Sequence, residues 1–205
     1  MKRFITGLLL ALSLLATGLP TATHAAEVTQ FTGGILSADF AGLEPSDRCM
    51  QSAVSFFAAD GTSGPGKGDT IAWIYLLIGR YNTCTGESLA LAEGSARLDG
   101  AAIQVTKHLD TASLQGTVNV TDRFTGATFP VMLDVTWTGV GSTTYIRQRT
   151  QITKPGFTLN SNGSMAVRSA DAAGTVMAPW GPATSAPAYT GEMRWISNST
   201  LTLDK

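Results

Sequence analysis

The sequence predicts an all-β fold, a single antiparallel β-sandwich of jelly-roll or Greek-key type. Short alternating apolar–polar runs recur between Gly, Asp and Asn turns, Thr and Gly are abundant, and no segment beyond the first 25 residues keeps a 3.6-residue helical period. Of the 205 residues, 43% are apolar and 14% charged, the balance of a folded chain rather than a disordered one. The formal net charge of −1 removes the basic footprint of a nucleic-acid binder. No fixed-interval repeat supports a solenoid or propeller.

Residues 1–25 read as a cleaved signal peptide. Met1-Lys2-Arg3 is a basic start, a Leu-rich apolar run follows to Leu19, and Thr23 and Ala25 stand at the small positions before a cut. The run is short for a membrane span of roughly 20 residues. Processing would leave residues 26–205 as one β-sandwich domain with no membrane span, secreted to an extracellular or periplasmic compartment. It also removes Lys2 and Arg3, taking the net charge from −1 to −3, and His24, leaving His108 as the one histidine.

The expected strands are 28–40, 50–60, 70–81, 87–98, 101–109, 112–122, 127–138, 143–153, 163–169, 173–178 and 190–203. The pair 50–60 and 70–81 reads as a hairpin around the Gly-rich residues 61–68. It brings Cys49 and Cys84 within a few residues of facing each other at the open end, so export to an oxidising compartment predicts a disulfide between them. Residues 71–78 are apolar on both faces: Ile71, Trp73, Tyr75 and Leu77 on one, Ala72, Ile74, Leu76 and Ile78 on the other. Such a strand needs cover on both sides, from a loop of the chain, a partner chain or an exported ligand. A second hairpin is expected from 127–138 and 143–153 about a turn at 139–142. It sets Val135 against Ile146 and Phe129 against Ile152 in the core, with Asp134 facing Arg147 and Thr136 facing Tyr145 outside.

Catalytic signatures are sparse. His108 ends a strand with no GxSxG serine to serve. One mature histidine and two bonded cysteines leave no zinc set, and neither phosphate-binding Gly motif occurs. No cofactor or metal is expected. Two carboxylates suffice for a glycan hydrolase or lyase, and of the 15 acidic residues Glu93 and Asp134 come nearest to an apolar strand setting.

Recognition features are better defined. Tyr145, Arg147, Arg149 and Gln151 share one strand face, and a Pro-rich segment at 178–189 carries Trp180 and Tyr189. Aromatic rings and guanidinium forks suit sugars and carboxylated polymers. The candidate ligand-binding residues are therefore Tyr145, Arg147, Arg149, Trp180 and Tyr189.

Gly42-Leu-Glu-Pro-Ser-Asp-Arg-Cys49, Asp134-Val-Thr-Trp-Thr-Gly-Val-Gly141, Lys154-Pro-Gly-Phe157 and Asp171-Ala-Ala-Gly-Thr175 carry a resemblance to a group of small secreted bacterial proteins without an assigned function. It implies export and one β-domain, transfers no functional residue, and does not extend to the Trp180 segment. The combined expectation is a secreted, non-catalytic domain that binds a cell-envelope or extracellular polysaccharide. The alternatives are a carboxylate-dependent glycan hydrolase or lyase, and a structural subunit that assembles through residues 71–78.

Overall fold

The computed structural model describes residues 27–44, 47–64, 69–154, 157–182, 188 and 190–204. The expected signal peptide and Tyr189 lie outside them. Ten strands occupy most of the described chain: β1 (Glu27–Glu44), β2 (Asp47–Gly64), β3 (Asp69–Asn82), β4 (Glu87–Arg97), β5 (Ile103–Val105), β6 (Thr111–Asp122), β7 (Thr128–Lys154), β8 (Phe157–Ala178), β9 (Gly181–Pro182) and β10 (Thr190–Asp204).

All ten belong to one antiparallel sheet in which β1, β2, β3, β4, β6, β7 and β8 follow one another as neighbours. The last strand, β10, pairs with both β8 and β1. The sheet therefore closes on itself as an up-and-down barrel. This corrects the expected sandwich: there is one sheet instead of two, and the neighbours are consecutive where a Greek key would cross over. An eight-strand closure leaves an interior just wide enough for side chains to fill.

The interior follows from period-2 alternation. Leu36, Ala38 and Phe40 of β1, Val54, Phe56 and Ala58 of β2, and Ala72, Ile74, Leu76 and Ile78 of β3 all point inward and are buried. Opposite them lie Leu114, Val118 and Val120 of β6 and Val131, Leu133, Val135 and Trp137 of β7. Trp137 reaches across the barrel: its ring meets Phe56 edge-on at 5.7 Å, and its Nε1 donates to the Ser37 carbonyl of β1 at 3.1 Å. The outer faces of β6 and β7 carry Gln115, Thr117, Asn119, Asp134 and Thr136, all exposed. That is the reverse of the apolar-out, polar-in alternation of an outer-membrane barrel.

The expected β2–β3 hairpin forms, running from Met50↔Asn82 to Ser63↔Asp69. Cys49 and Cys84 are bonded at its open end with Cα atoms 5.2 Å apart. The loop-entropy model gives the bond about 3–4 kcal/mol. On β3 the even-numbered face is core, while Ile71, Trp73, Tyr75 and Leu77 are half-buried on the outside, where Trp73 packs against Phe57 at 6.3 Å.

The second expected hairpin does not form. Residues 128–154 are one strand, and Val135 pairs with Leu114 and Gly174 instead of Ile146. Gly141, at φ +68°, lies in the register shift between Val140 and Thr144; glycine accepts that conformation without steric cost. A Gly-Val-Gly-Ser run suits a bulge as well as a turn, and here it makes the bulge. Likewise 163–169 and 173–178 merge into β8. Asp134 accepts a hydrogen bond from Gln115 Nε2 at 3.2 Å, in place of the expected Arg147.

One seam is narrow. β4 meets β6 only at Ala92↔Asp122 and Glu93↔Thr121. Residues 98–110 fill the gap beyond, with β5 pairing β6 and lying against β1 and β2. Ile103 and Leu109 on this crossing are fully buried, so it closes that end of the barrel. At the seam the backbones approach so closely that a Cβ on Gly94 would sit 2.1 Å from the Asn119 carbonyl oxygen, whereas nothing lies within 4 Å of one on Gly100. Gly94→Ala should cost about 1–3 kcal/mol while Gly100→Ala changes little. Urea unfolding of the two variants checks this.

Candidate binding surface

Two polar–aromatic groups stand at opposite ends of the molecule. The first plugs the barrel end away from the crossing segment. Glu44, at the end of β1, is 5% exposed and accepts from Arg80 Nε at 2.7 Å and Nη2 at 2.8 Å. Ser52 donates to Glu44 Oε1 at 3.4 Å and accepts from Trp180 Nε1 at 3.2 Å. The Trp180 ring lies 5.6 Å from the Arg80 guanidinium carbon and packs on Phe129 at 5.5 Å. Each buried polar atom of this cluster is satisfied, as a low-dielectric setting demands. Trp180 thus acts as a cap over a neutralised ion pair.

The second group is an arm. Beyond the barrel, β7 and β8 continue as a ladder from Thr144↔Val167 to Lys154↔Phe157, and β10 continues beside β8 to Asp204↔Thr158. Tyr145, Arg147, Arg149 and Gln151 pair with Ala166, Ser164, Asn162 and Asn160, so these eight share one face. It is the face of β8 that buries Ala170 and Ala172 further along. Tyr145 is 80% exposed, and Arg147, Arg149 and Gln151 are exposed. Ile146 and Ile152 turn to the opposite face, paired with Met165 and Leu159, which corrects their expected core position.

Trp195 of β10 also pairs with Ala166, placing it in the Tyr145 row on the same face. Adjacent strands lie about 4.8 Å apart, so the two aromatic residues flank a methyl group across a gap of roughly twice that. Trp195 is half-buried against the core. Sequence reading missed it because only the β8–β10 register reveals its neighbour. A further signal was readable in the sequence: residues 141–168 contain Arg147, Arg149, Lys154 and Arg168 and no Asp or Glu. Arg168 is engaged by Asp110 at 2.6 Å, which leaves Arg147 and Arg149 as the exposed cations of the face.

The structure therefore separates the predicted site residues. Tyr145, Arg147 and Arg149 fall together, Trp180 lies at the far end, and Tyr189 is not among the described residues. Glu93 and Asp134 lie on the outer surface. Hydrogen bonds from Arg123 and from the Tyr75 hydroxyl hold the Glu93 carboxyl below its ordinary range, the wrong direction for a general acid. His108 is exposed on the crossing segment. Among the described residues, no group of three His, Cys, Asp or Glu is placed to hold a metal. No protein-family model, curated protein or solved structure matches the chain.

The Arg80 hydrogen bonds depress the Glu44 carboxyl more than burial raises it. A lowered folded value means that the ionised form stabilises the fold above the unfolded value, near pH 4.3, and that this contribution is lost as pH falls through the folded value. The melting temperature should therefore drop in acid, and Glu44→Gln should start lower at neutral pH but show a flatter acid limb. Arg80→Ala, which leaves a buried carboxylate alone, should cost about 3–5 kcal/mol at neutral pH. Circular dichroism melts across pH measure both effects.

Proposed function

We propose that the chain is an exported, non-catalytic recognition domain that binds an anionic polysaccharide of the cell envelope or extracellular matrix along the arm. The observation that carries this reading is the exposed row of Tyr145, Arg147, Arg149 and Gln151, beside Asn162, Ser164 and Trp195, on a 28-residue stretch without a carboxylate. Aromatic rings stack on the apolar faces of sugars, guanidinium forks bind carboxylates bidentately, and amides serve hydroxyls. A rigid barrel beneath the arm limits the ordering cost of binding. Export and a bacterial source belong to the same reading, supported by the Leu-rich leader pattern and the disulfide.

The oxidised mature chain should sediment with insoluble or immobilised uronic-acid polymers and release no soluble sugar. Tyr145→Ala and the double variant Arg147→Ala/Arg149→Ala should each weaken binding about tenfold or more, with unchanged melting temperature. Binding should also weaken with salt. Retention of both variants on the polymer would remove the arm as the site, and sugar release would favour a hydrolase or lyase.

The outer face of β3 favours a second reading, assembly of copies through residues 71–78, because Ile71, Trp73 and Leu77 remain half-buried there. Light scattering across a concentration series should give a constant monomer mass if the recognition reading is sufficient, and a rising mass if this face assembles copies.

A further inference from the structure

The geometry points to a strand-addition site on the open edge of β7, where an extended acidic polypeptide of another protein would pair with residues 144–154. Among the described residues, β7 pairs with β6 only as far as Thr138. From Thr144 to Lys154 its ladder partner among the described residues is β8. The other side of this stretch thus presents a row of backbone donors and acceptors. The sequence there, Thr-Tyr-Ile-Arg-Gln-Arg-Thr-Gln-Ile-Thr, is rich in the β-branched and aromatic residues that favour strands. An unpaired edge of such composition is a template for another strand.

The direction of its hydrogen-bonding groups can be read from the ladder. The Gly139 amide donates to the Asp110 carbonyl on the β6 side, and successive residues of a strand point their amides to alternate sides. The irregularity between Val140 and Thr144 adds two residues on β7 relative to β8, which preserves that alternation. Residues 145, 147, 149, 151 and 153 therefore turn their N–H and C=O groups outward to the open edge, while residues 144, 146, 148, 150 and 152 bond β8.

Charge decides the occupant. Arg147 and Arg149 lie on this edge, with no acid within residues 141–168. Two copies joined edge to edge would bring these cations together, a like-charge cost that cross-strand pairs feel directly. An incoming strand with Glu or Asp at alternate positions would instead meet Arg147 and Arg149 on one face while its backbone completes the ladder. The same side chains thus oppose self-pairing and select an acidic partner. This inference does not rest on the polysaccharide reading, since it uses the backbone of the edge, which a sugar polymer does not match.

The test uses the oxidised mature chain and a labelled decapeptide of alternating Glu and Val, with its Lys/Val counterpart and a version N-methylated at every second amide, in both phases. Fluorescence anisotropy should show the Glu/Val peptide binding at least about tenfold more tightly than the Lys/Val one, and one phase of N-methylation should abolish binding. Thr153→Pro, which removes an outward amide and no charge, should lose the peptide while retaining a uronic-acid polymer. Equal binding of both N-methylated phases would mean attraction by charge alone and overturn strand addition. So would no binding of the Glu/Val peptide, or dimers in light scattering that Thr153→Pro dissociates, the latter making a second copy the occupant.

Discussion

Closure of the sheet is the constraint on which the rest depends. An antiparallel meander of this length has two edges, each a row of unsatisfied backbone groups. Pairing β10 with both β8 and β1 removes them along the barrel and forces one face of every strand into a common interior. The apolar alternation then has one consistent outcome, in which Leu36, Phe40, Ile74, Leu76, Val118 and Trp137 fill the same space. The Trp137 indole, bonded to the Ser37 carbonyl on the opposite wall, shows how little room remains. Among the described residues, side chains fill the interior.

The two barrel ends are closed by different means, and both consume polar groups. At one, residues 98–110 cross beneath the open β4–β6 seam, and Arg168 fixes them through Leu109 and Asp110. At the other, Glu44 and Arg80 neutralise each other under Trp180. A buried ion pair of this kind contributes little net stability compared with an apolar replacement, yet either partner alone would be costly. It ties the end of β1 to β3, where each charge is met by the other.

Much of the strand pattern was legible from the residues. Turn residues and alternation mark nearly every strand, and the spacing of Cys49 and Cys84 about a Gly-rich loop anticipates their bond. What stayed hidden was long-range. Whether consecutive hairpins stack as two sheets or close as one depends on a pairing between the first and last strands, which leaves no local trace. The run at 139–142 misled for a physical reason: Gly and Ser permit both a reversal and a bulge, and only the partner strand chooses. That choice moved Ile146 and Ile152 out of the core and set Tyr145, Arg147 and Arg149 on the face continuous with the barrel interior. The residue types of the candidate surface were thus identified while their orientation was reversed. Trp195 was missed altogether, because its place beside Tyr145 exists only through Ala166 on the strand between them.

The arm is where closure stops, and its composition follows from that. Once β7 outruns β6, both faces and one edge of the strand face solvent, and an apolar pattern there would invite aggregation. The chain instead places cations at alternate positions and excludes acids from the whole hairpin. Solubility alone would be served equally by mixed charge, as it is on the rest of the surface, where Glu93 meets Arg123 and Arg168 meets Asp110. On the stretch of β7 that β6 does not reach, the charge is instead of a single sign. That stretch leaves Tyr145, Arg147 and Arg149 exposed on one face, beside the half-buried Trp195.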